Sequence, residues 1–567
     1  MRAVIISLLM LFVVSSMLAQ STINKRAETI IENRGELYFS FDKPKTVSLD
    51  ILSSIISIDK IDANNRVFAY ANQQEYQRFL TFRIDYQIEK ESYLKISPQM
   101  ATSVSALMQS WDAYPTYDQY DSLMRKLASD YPSICRFHIL DTLPSGRKIL
   151  ALQLGDSVMI HQKEARFLYT SSMHGNELVG YVLMLRLAEY LLSNYGQNAE
   201  VDSIMNNVEI WINPLANPDG AYQAGDSTLA GATRYNTNFV DLNRNYPDPQ
   251  NGQHPDGNSW QPETKIFMNL ADSLHFTMSA NFHGGAEVLN YPWDTWSILP
   301  ADVSWWEYVC HQYADTAHVY SPSNYFLGPA VANGTGVVNG YQWYTTNGSR
   351  QDYMNYFQAC REVTIELSMS KLPQASMLNS FWNYNYRSML GYINQARFGV
   401  QGSVRDSLTG KPLKAQIYIN FHDKDSSQVF SYLPDGYYHR LLDSGYYSIT
   451  YSAAHYYPKT FDSVYIARNH VVDIDVELAP DYTSLAVSQK TNFRIYPNPC
   501  SNQLNIISEE KIELIQLYAI DGRLIKQWDG LNSKSIAIDV VGVEQGVYLL
   551  MIQDYKGQYS FHKLIIQ

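Results

Sequence analysis

Phe167-Leu-Tyr-Thr-Ser-Ser-Met-His174-Gly-Asn-Glu177-Leu-Val-Gly180 is the stretch on which the reading of this chain turns. Its apolar opening, Phe167 to Tyr169, predicts a buried strand. A turn of small residues follows, then a helical pattern from Leu178 through Leu192. A strand that gives way to a helix marks the carboxyl edge of an α/β sheet, where such sheets hold their ligands. His174 and Glu177 fall in that turn and are candidate ligands of a catalytic zinc. The spacing alone does not decide it. His161-Gln-Lys-Glu164 repeats it upstream, in a polar stretch between apparent strands that reads as a solvated turn.

Working outward, 567 residues are too many for one core and imply several domains. A hydrophobic share of 46% with 17% charged residues describes globular material. The net charge of −13, with no Lys/Arg run, argues against nucleic acid as a partner. Cys135, Cys310, Cys360 and Cys500 are far apart and form no C-x-x-C pair, which argues against a thiolate zinc site or a thioredoxin motif. Disulfides and free buried thiols both stay open for them.

In chain order, residues 1–19 carry one Arg, an apolar core and a small-residue end, the pattern of a secretory signal peptide. The apolar run is shorter than the ~20 residues a spanning helix needs, and no later stretch predicts a transmembrane span. Residues 20–111 alternate strand and helix signals and predict a small α+β module, either a pro-segment or a structural domain, trailing into a linker from Glu91 to Ala113. Residues 112–397 alternate strands and helices in the manner of a mixed α/β sheet covered on both faces. Residues 398–480 switch to short strands between turn signals, a small β-sandwich. A polar linker, 481–491, precedes a second all-β unit at 492–567.

Four polar segments of the main domain sit beside strand ends: His174/Glu177, Asn213–Gly220, Thr233–Asp248, and Asn281-Phe-His283 together with Thr364-Ile-Glu366-Leu367. A catalytic zinc takes three N/O ligands and keeps one position open, which His174, Glu177 and His283 satisfy. His283 alone would read as a core histidine. Glu366 lies within an apolar strand, where an unpaired carboxylate is costly, so it is either ion-paired or a general base.

Taken in order, His174-Gly-Asn-Glu177, Asn217-Pro-Asp-Gly220, Asp241-Leu-Asn-Arg-Asn-Tyr-Pro247, His283-Gly-Gly285, Asn290-Tyr-Pro-Trp-Asp294 and Glu366 resemble the zinc metallocarboxypeptidases, regulatory carboxypeptidase N/E-like group. The sandwich at 398–480 resembles the transthyretin-like domain that follows the catalytic domain in that group. The resemblance implies one Zn2+ held by His174, Glu177 and His283, with Asp241 orienting a metal histidine. It implies Glu366 as the base that activates water and Arg234 as the oxyanion donor, although Ala232-Thr-Arg234-Tyr-Asn236 matches the family pattern only in part. Asn243 and Arg244 would clamp the substrate's terminal carboxylate and Tyr344 would close over it. Asp294, with Gln351, would select C-terminal Lys or Arg. The implied partners are peptide and protein C-termini. The tail, with Tyr496-Pro-Asn-Pro499, Asp521-Gly-Arg523, Gly546-Val-Tyr548 and Lys563-Leu-Ile-Ile-Gln567, resembles the C-terminal sorting domain of Bacteroidetes type IX secretion cargo and implies a secreted or cell-surface location. A cell-wall peptide amidase of the same fold, and an inactive surface-binding protein, are the competing readings.

Overall fold

The computed structural model describes residues 20–567 except 21, 63, 92, 93, 95, 161, 482–492, 557 and 558. The signal-peptide stretch, His161 and most of the 481–491 linker lie outside the described residues.

The N-terminal module is a four-stranded antiparallel sheet of β1 (Leu37–Asp42), β2 (Ser57–Ile61), β3 (Arg66–Ala71) and β4 (Tyr86–Ile88), in the order β2-β3-β1-β4. The helix Gln73–Leu80 is fixed by a capping box in which Asn72 and Glu75 satisfy each other's backbone N–H. Phe39, Phe41, Tyr76, Phe79 and Tyr86 form its core. Two sequence expectations shift here. The pattern of Phe82 to Tyr86 reads in the sequence as a strand, but the last strand is Tyr86–Ile88, because 81–85 is still leaving the helix. The expected linker contains a helix, Val104–Ser110, capped by Ser103 and too short to leave a clear periodicity.

The main domain is one eight-stranded mixed sheet. Its strands are β5 (Cys135–Thr142), β6 (Lys148–Leu154), β7 (Ala165–Ser171), β8 (Val208–Asn213), β9 (Met278–His283), β10 (Glu287–Tyr291), β11 (Val337–Asn339) and β12 (Arg361–Leu367), in the order β11-β10-β12-β9-β7-β8-β6-β5. β12, β9, β7 and β8 run parallel, so their carboxyl ends share one edge. Alternation along β7 shows why the sheet is doubly covered. Phe167 and Tyr169 join the apolar layer beneath Val179–Asn194 and Leu378–Gln395, while Leu168 joins the opposite layer with Trp211 and Phe267.

The following β-sandwich pairs β13 (Gly399–Asp406) with strands Tyr437–Arg440 and Val471–Asp473, and sets Gln416–Ile419 between Val429–Phe430 and Gly445–Ser452. Its junction with the main domain is ionic and dry. Asp302 is 3% exposed and accepts from Arg361, from Arg440, which is fully buried, and from His422. Arg440 also donates to Asp423. These partners hold Asp302 well below the usual carboxylate range even though its burial pushes the other way.

The C-terminal unit, from Arg494, is an antiparallel five-stranded sheet whose long strands Gln503–Ala519 and Leu524–Asp539 carry the register shifts of bulges. Leu504, Ile506, Ile515, Leu517, Leu550 and Leu564 form its core. The four cysteines are all free and buried. No described helix is long and apolar enough to cross a membrane.

Candidate active site

The turn after β7 is locked before it bears chemistry. Ser172 adopts φ 57°, and its hydroxyl donates to the Glu177 carbonyl at 2.6 Å, closing the loop that carries His174 and Glu177. Gly175 is required there: a Cβ would come within 2.3–2.6 Å of the Gly220–Ala221 backbone. The Asn217-Pro-Asp-Gly220 loop is thus pressed onto the His-x-x-Glu turn, and Asn217 Nδ2 donates to the Met173 carbonyl. On the neighbouring strands, His283 ends β9 and lies in register with Glu366 of β12.

His174 Nδ1 and His283 Nδ1 lie 3.0 and 2.9 Å from Glu177 Oε2 and 3.1 Å from each other. All three residues are buried, and their ligand atoms lie within 4.8 Å of one another. Two ring nitrogens facing each other across a carboxylate oxygen make a donor set that a zinc ion fits. The outer nitrogens are held in turn: His174 Nε2 by Asp241 at 3.0 Å, His283 Nε2 by the Asn281 amide at 2.8 Å. Burial keeps His283 neutral by pulling its pKa down to about 4. Glu177 is buried too, but His174 and Lys371 hold its carboxyl well below the usual range.

Arg234 Nε donates to Asp241 at 2.9 Å and its NH1 to Glu177 Oε1 at 3.3 Å. Glu366 lines the same cavity. Burial, and then the Glu177 charge, raise its pKa well above the ordinary value, and its Oε2 has no hydrogen-bond partner among the described residues. A buried carboxylate oxygen with no partner in a metal-binding pocket marks where a water belongs.

Arg244 is 6% exposed; its Nε also lacks a partner among the described residues, a donor left over for a ligand. Asn243 is anchored through Oδ1, which accepts from Arg350 N. Tyr344 stands in the same cavity, its hydroxyl pKa pushed up by burial. Asp294, 4% exposed, accepts from Asn290 Nδ2 at 3.0 Å and Gln351 Nε2 at 3.1 Å. Its backbone N–H donates to Asp352. Burial raises the pKa of both acids, and for Asp352 the charge of Asp294 adds to the effect. Gly340 makes room for that floor, since a Cβ would fall 1.9 Å from Asp294 Oδ1.

His174, Glu177, Arg234, Asn243, Arg244, His283, Asp294, Tyr344 and Glu366 therefore line one cavity, with Asp241 and Gln351 directly behind it. Two residues that sequence reasoning missed line or border it. Lys371 donates to Glu177 Oε1 at 3.0 Å, and Asp59 of the N-terminal module accepts from Lys371 and lies 3.7 Å from Arg234 NH1. Other contacts of the module reach the same neighbourhood. Glu36 accepts from the Arg234 and Tyr235 backbone, the Ile58 carbonyl from Arg244 NH2 at 3.2 Å, Asp50 from Thr345, and the Phe239 carbonyl from Asn72. Under that cover the cavity measures about 30 Å³, the space of about one water.

A buried His/Glu/His centre with a partnerless carboxylate and a guanidinium beside it, at the carboxyl edge of a mixed sheet, defines a mononuclear metallohydrolase type of site. The profile described as Zinc carboxypeptidase matches residues 120–388. Carboxypeptidase M of Mus musculus is 34% identical over 348 residues, covering 59% of this chain and 77% of that protein. The catalytic chain of carboxypeptidase N of Rattus norvegicus is 31% identical over 385 residues, covering 61% and 82%. The chain belongs to the zinc carboxypeptidase family. It is also 35% identical over 364 residues to carboxypeptidase D of Homo sapiens, but spans only about a quarter of that longer protein. Among solved structures, carboxypeptidase A from Helicoverpa armigera aligns over 63% of this chain and 97% of its own, at 16% identity and a TM-score of 0.48. Residues 494–567 match the profile described as Secretion system C-terminal sorting domain, which directs a chain to the cell surface or beyond.

Proposed function

We propose that this chain is a zinc metallocarboxypeptidase that hydrolyses the last peptide bond of peptides and proteins, releasing C-terminal Lys or Arg. His174, Glu177 and His283 would hold the metal, which supplies Lewis-acid polarisation and a nucleophile active near neutral pH. Glu366 takes the proton of the attacking water as the new C–O bond forms, and passes it to the amine as the C–N bond breaks. Arg234 turns its guanidinium toward the oxygen that gains charge. Arg244 offers its unused Nε–H to the terminal carboxylate, with Asn243 and Tyr344 beside it.

The observation that carries this reading is the convergence of three features in one small cavity: the His/Glu/His donors, the partnerless Glu366 oxygen and the partnerless Arg244 donor. Asp294 supports the Lys/Arg preference. A buried carboxyl with raised pKa gains an ion pair when a cationic side chain enters, whereas an apolar side chain leaves it unsatisfied. Peptides ending in Arg, Lys, Phe and Glu test this. Arg and Lys should lead, and Asp294→Ala should erase the lead; equal rates, or a preference for Phe, would refute it.

We further read the N-terminal module as a pro-segment. Asp59, Ile58 and Glu36 contact residues of the substrate cleft or Lys371 at its border, Asp50 accepts from Thr345 next to Tyr344, and the cavity beneath them has no room for a peptide. The C-terminal unit supports export as type IX cargo, with its secretion machinery as partner.

A further inference from the structure

The carboxyl edge of the main sheet carries the candidate active site. Its amino edge carries a second cavity, of about 280 Å³. Arg166 near the start of β7, Thr277 just before β9 and Ala359 just before β12 line one side of it, and residues 429–439 of the β-sandwich line the other. A strand of seven residues, the length of β7, spans roughly 23 Å, so this cavity is separate from the His174/Glu177/His283 centre. A ring stack joins its two walls: His275 and Tyr432 lie 3.6 Å apart between centroids and 11° from parallel. The cavity is thus formed before any ligand arrives. We infer that it binds a small arylalkyl ammonium ion, with the ammonium on Glu164 and the ring among the aromatic side chains of the lining.

The lining is short of cations. Arg166 is committed, with Nε donating to Glu209 at 3.1 Å and NH1 to the Leu274 carbonyl at 2.7 Å. Burial holds His275 and His439 neutral by pulling each pKa down to about 4. The Tyr437 hydroxyl donates to Gln401 Oε1 at 3.0 Å. Glu164 is left over. It is half-buried, and it has neither a hydrogen-bond nor an ion-pair partner among the described residues. Burial, then Asp156 and Glu209, raise its pKa to about 7, and the nearby Arg166 offsets them only in part. A carboxyl held in this way gains most from a cation brought to it. The remaining wall suits the body of such a ligand. Phe276, Phe430, Tyr432 and Tyr437 supply aromatic surface, against which an ammonium and a ring both pack favourably. Small-molecule sites commonly take this form, a mostly apolar cavity at a domain junction with one or two charged groups that fix orientation. Asp435 is a second acid of the lining, so a ligand with its own carboxylate is disfavoured, and the amine fits better than the parent amino acid.

The test compares three probes on the untreated full chain by calorimetry at pH 8, where Glu164 is ionised. Tyramine carries the ammonium, tyrosol has the same body with a hydroxyl in its place, and tyrosine adds a carboxylate. Tyramine should bind roughly tenfold tighter than either, as expected for a partly desolvated charge pair. High salt should shrink that lead in the parent protein. Glu164→Gln should bring tyramine down to the level of tyrosol, and saturating tyramine should raise the melting temperature of the parent but not of this variant. Asp294→Ala should leave the lead intact, which separates this cavity from the substrate cleft. Failure of tyramine to bind the parent, equal affinities for tyramine and tyrosol, or a lead that survives Glu164→Gln would overturn the inference. A lead that disappears with Asp294→Ala would place the cation in the cleft and would overturn it as well.

Discussion

Asp59→Ala is the perturbation most informative about latency. The Asp59 and Lys371 side chains are 5% and 8% exposed, so their pair is dry. Burial raises the Asp59 pKa, but Lys371 and then Arg234 outweigh it and hold the carboxyl below its ordinary value. Breaking a buried pair by deleting one partner costs about 3–5 kcal/mol when the other is left alone. Lys371 is not left alone, because Glu177 Oε1 remains 3.0 Å away. A cost of about 2 kcal/mol to the docking of the module is therefore expected, which corresponds to roughly a 30-fold larger uncovered fraction. The assay is the initial rate of Arg release by the full chain, before and after limited trypsin treatment, for which Lys90 lies exposed between module and domain. The untreated variant should exceed the untreated parent by roughly 30-fold, while the two treated proteins converge. An untreated parent already as fast as the treated one would refute the covering role of the module. An unchanged untreated variant would refute the part assigned to Asp59.

Other outcomes follow from the same contacts. Glu366→Gln should abolish nearly all turnover of trypsin-treated enzyme while bound zinc, measured by atomic emission, stays at one per chain; undiminished turnover would exclude Glu366 as the base. Latency should weaken as pH rises. Burial and the neighbouring Glu91 lift Glu36 to about 8 in the docked state, against 4.5 for an ordinary glutamate. Docking thus holds a proton that release gives up, so its contribution is complete below the ordinary value and is lost as pH climbs through about 8. The untreated rate relative to the treated one should rise from pH 5 to 8, and Glu36→Gln should flatten that rise. Arg440→Met should destabilise the chain by about 3 kcal/mol, because it removes the buried guanidinium from Asp423 and leaves Asp302 with only Arg361 and His422; an unchanged melting temperature would show the junction to be unimportant.

Much of this site was legible because its residues are tied to regular elements. A strand buried almost throughout, a turn of small residues and an apolar helix place His174 and Glu177 with little ambiguity. His283 and Glu366 end or nearly end apolar strands, where a polar residue stands out. The module's contacts with the cleft were not legible. β2 reads Ser-Ile-Asp-Lys-Ile, and nothing in an isolated Asp shows that it will reach across to a lysine more than three hundred residues away. Lys371 was missed for the same reason, since it lies just beyond β12 in irregular backbone. The tertiary approach of two separately folded sheets creates that pair, and no local pattern encodes it. The helix Val104–Ser110 was lost to its shortness, whereas the all-β signals after residue 398 survived because turns punctuate them.

The central claim is a single zinc that is bound by His174, Glu177 and His283 and required for removal of a C-terminal residue. It is tested most directly by following Arg release from a peptide with trypsin-treated enzyme as its metal is removed by chelation and returned by titration. Activity should vanish on removal and return in proportion to added zinc, with its endpoint at one equivalent per chain, and His283→Ala should show no recovery. Full activity in a metal-free preparation, or recovery by the His283→Ala variant, would contradict the account.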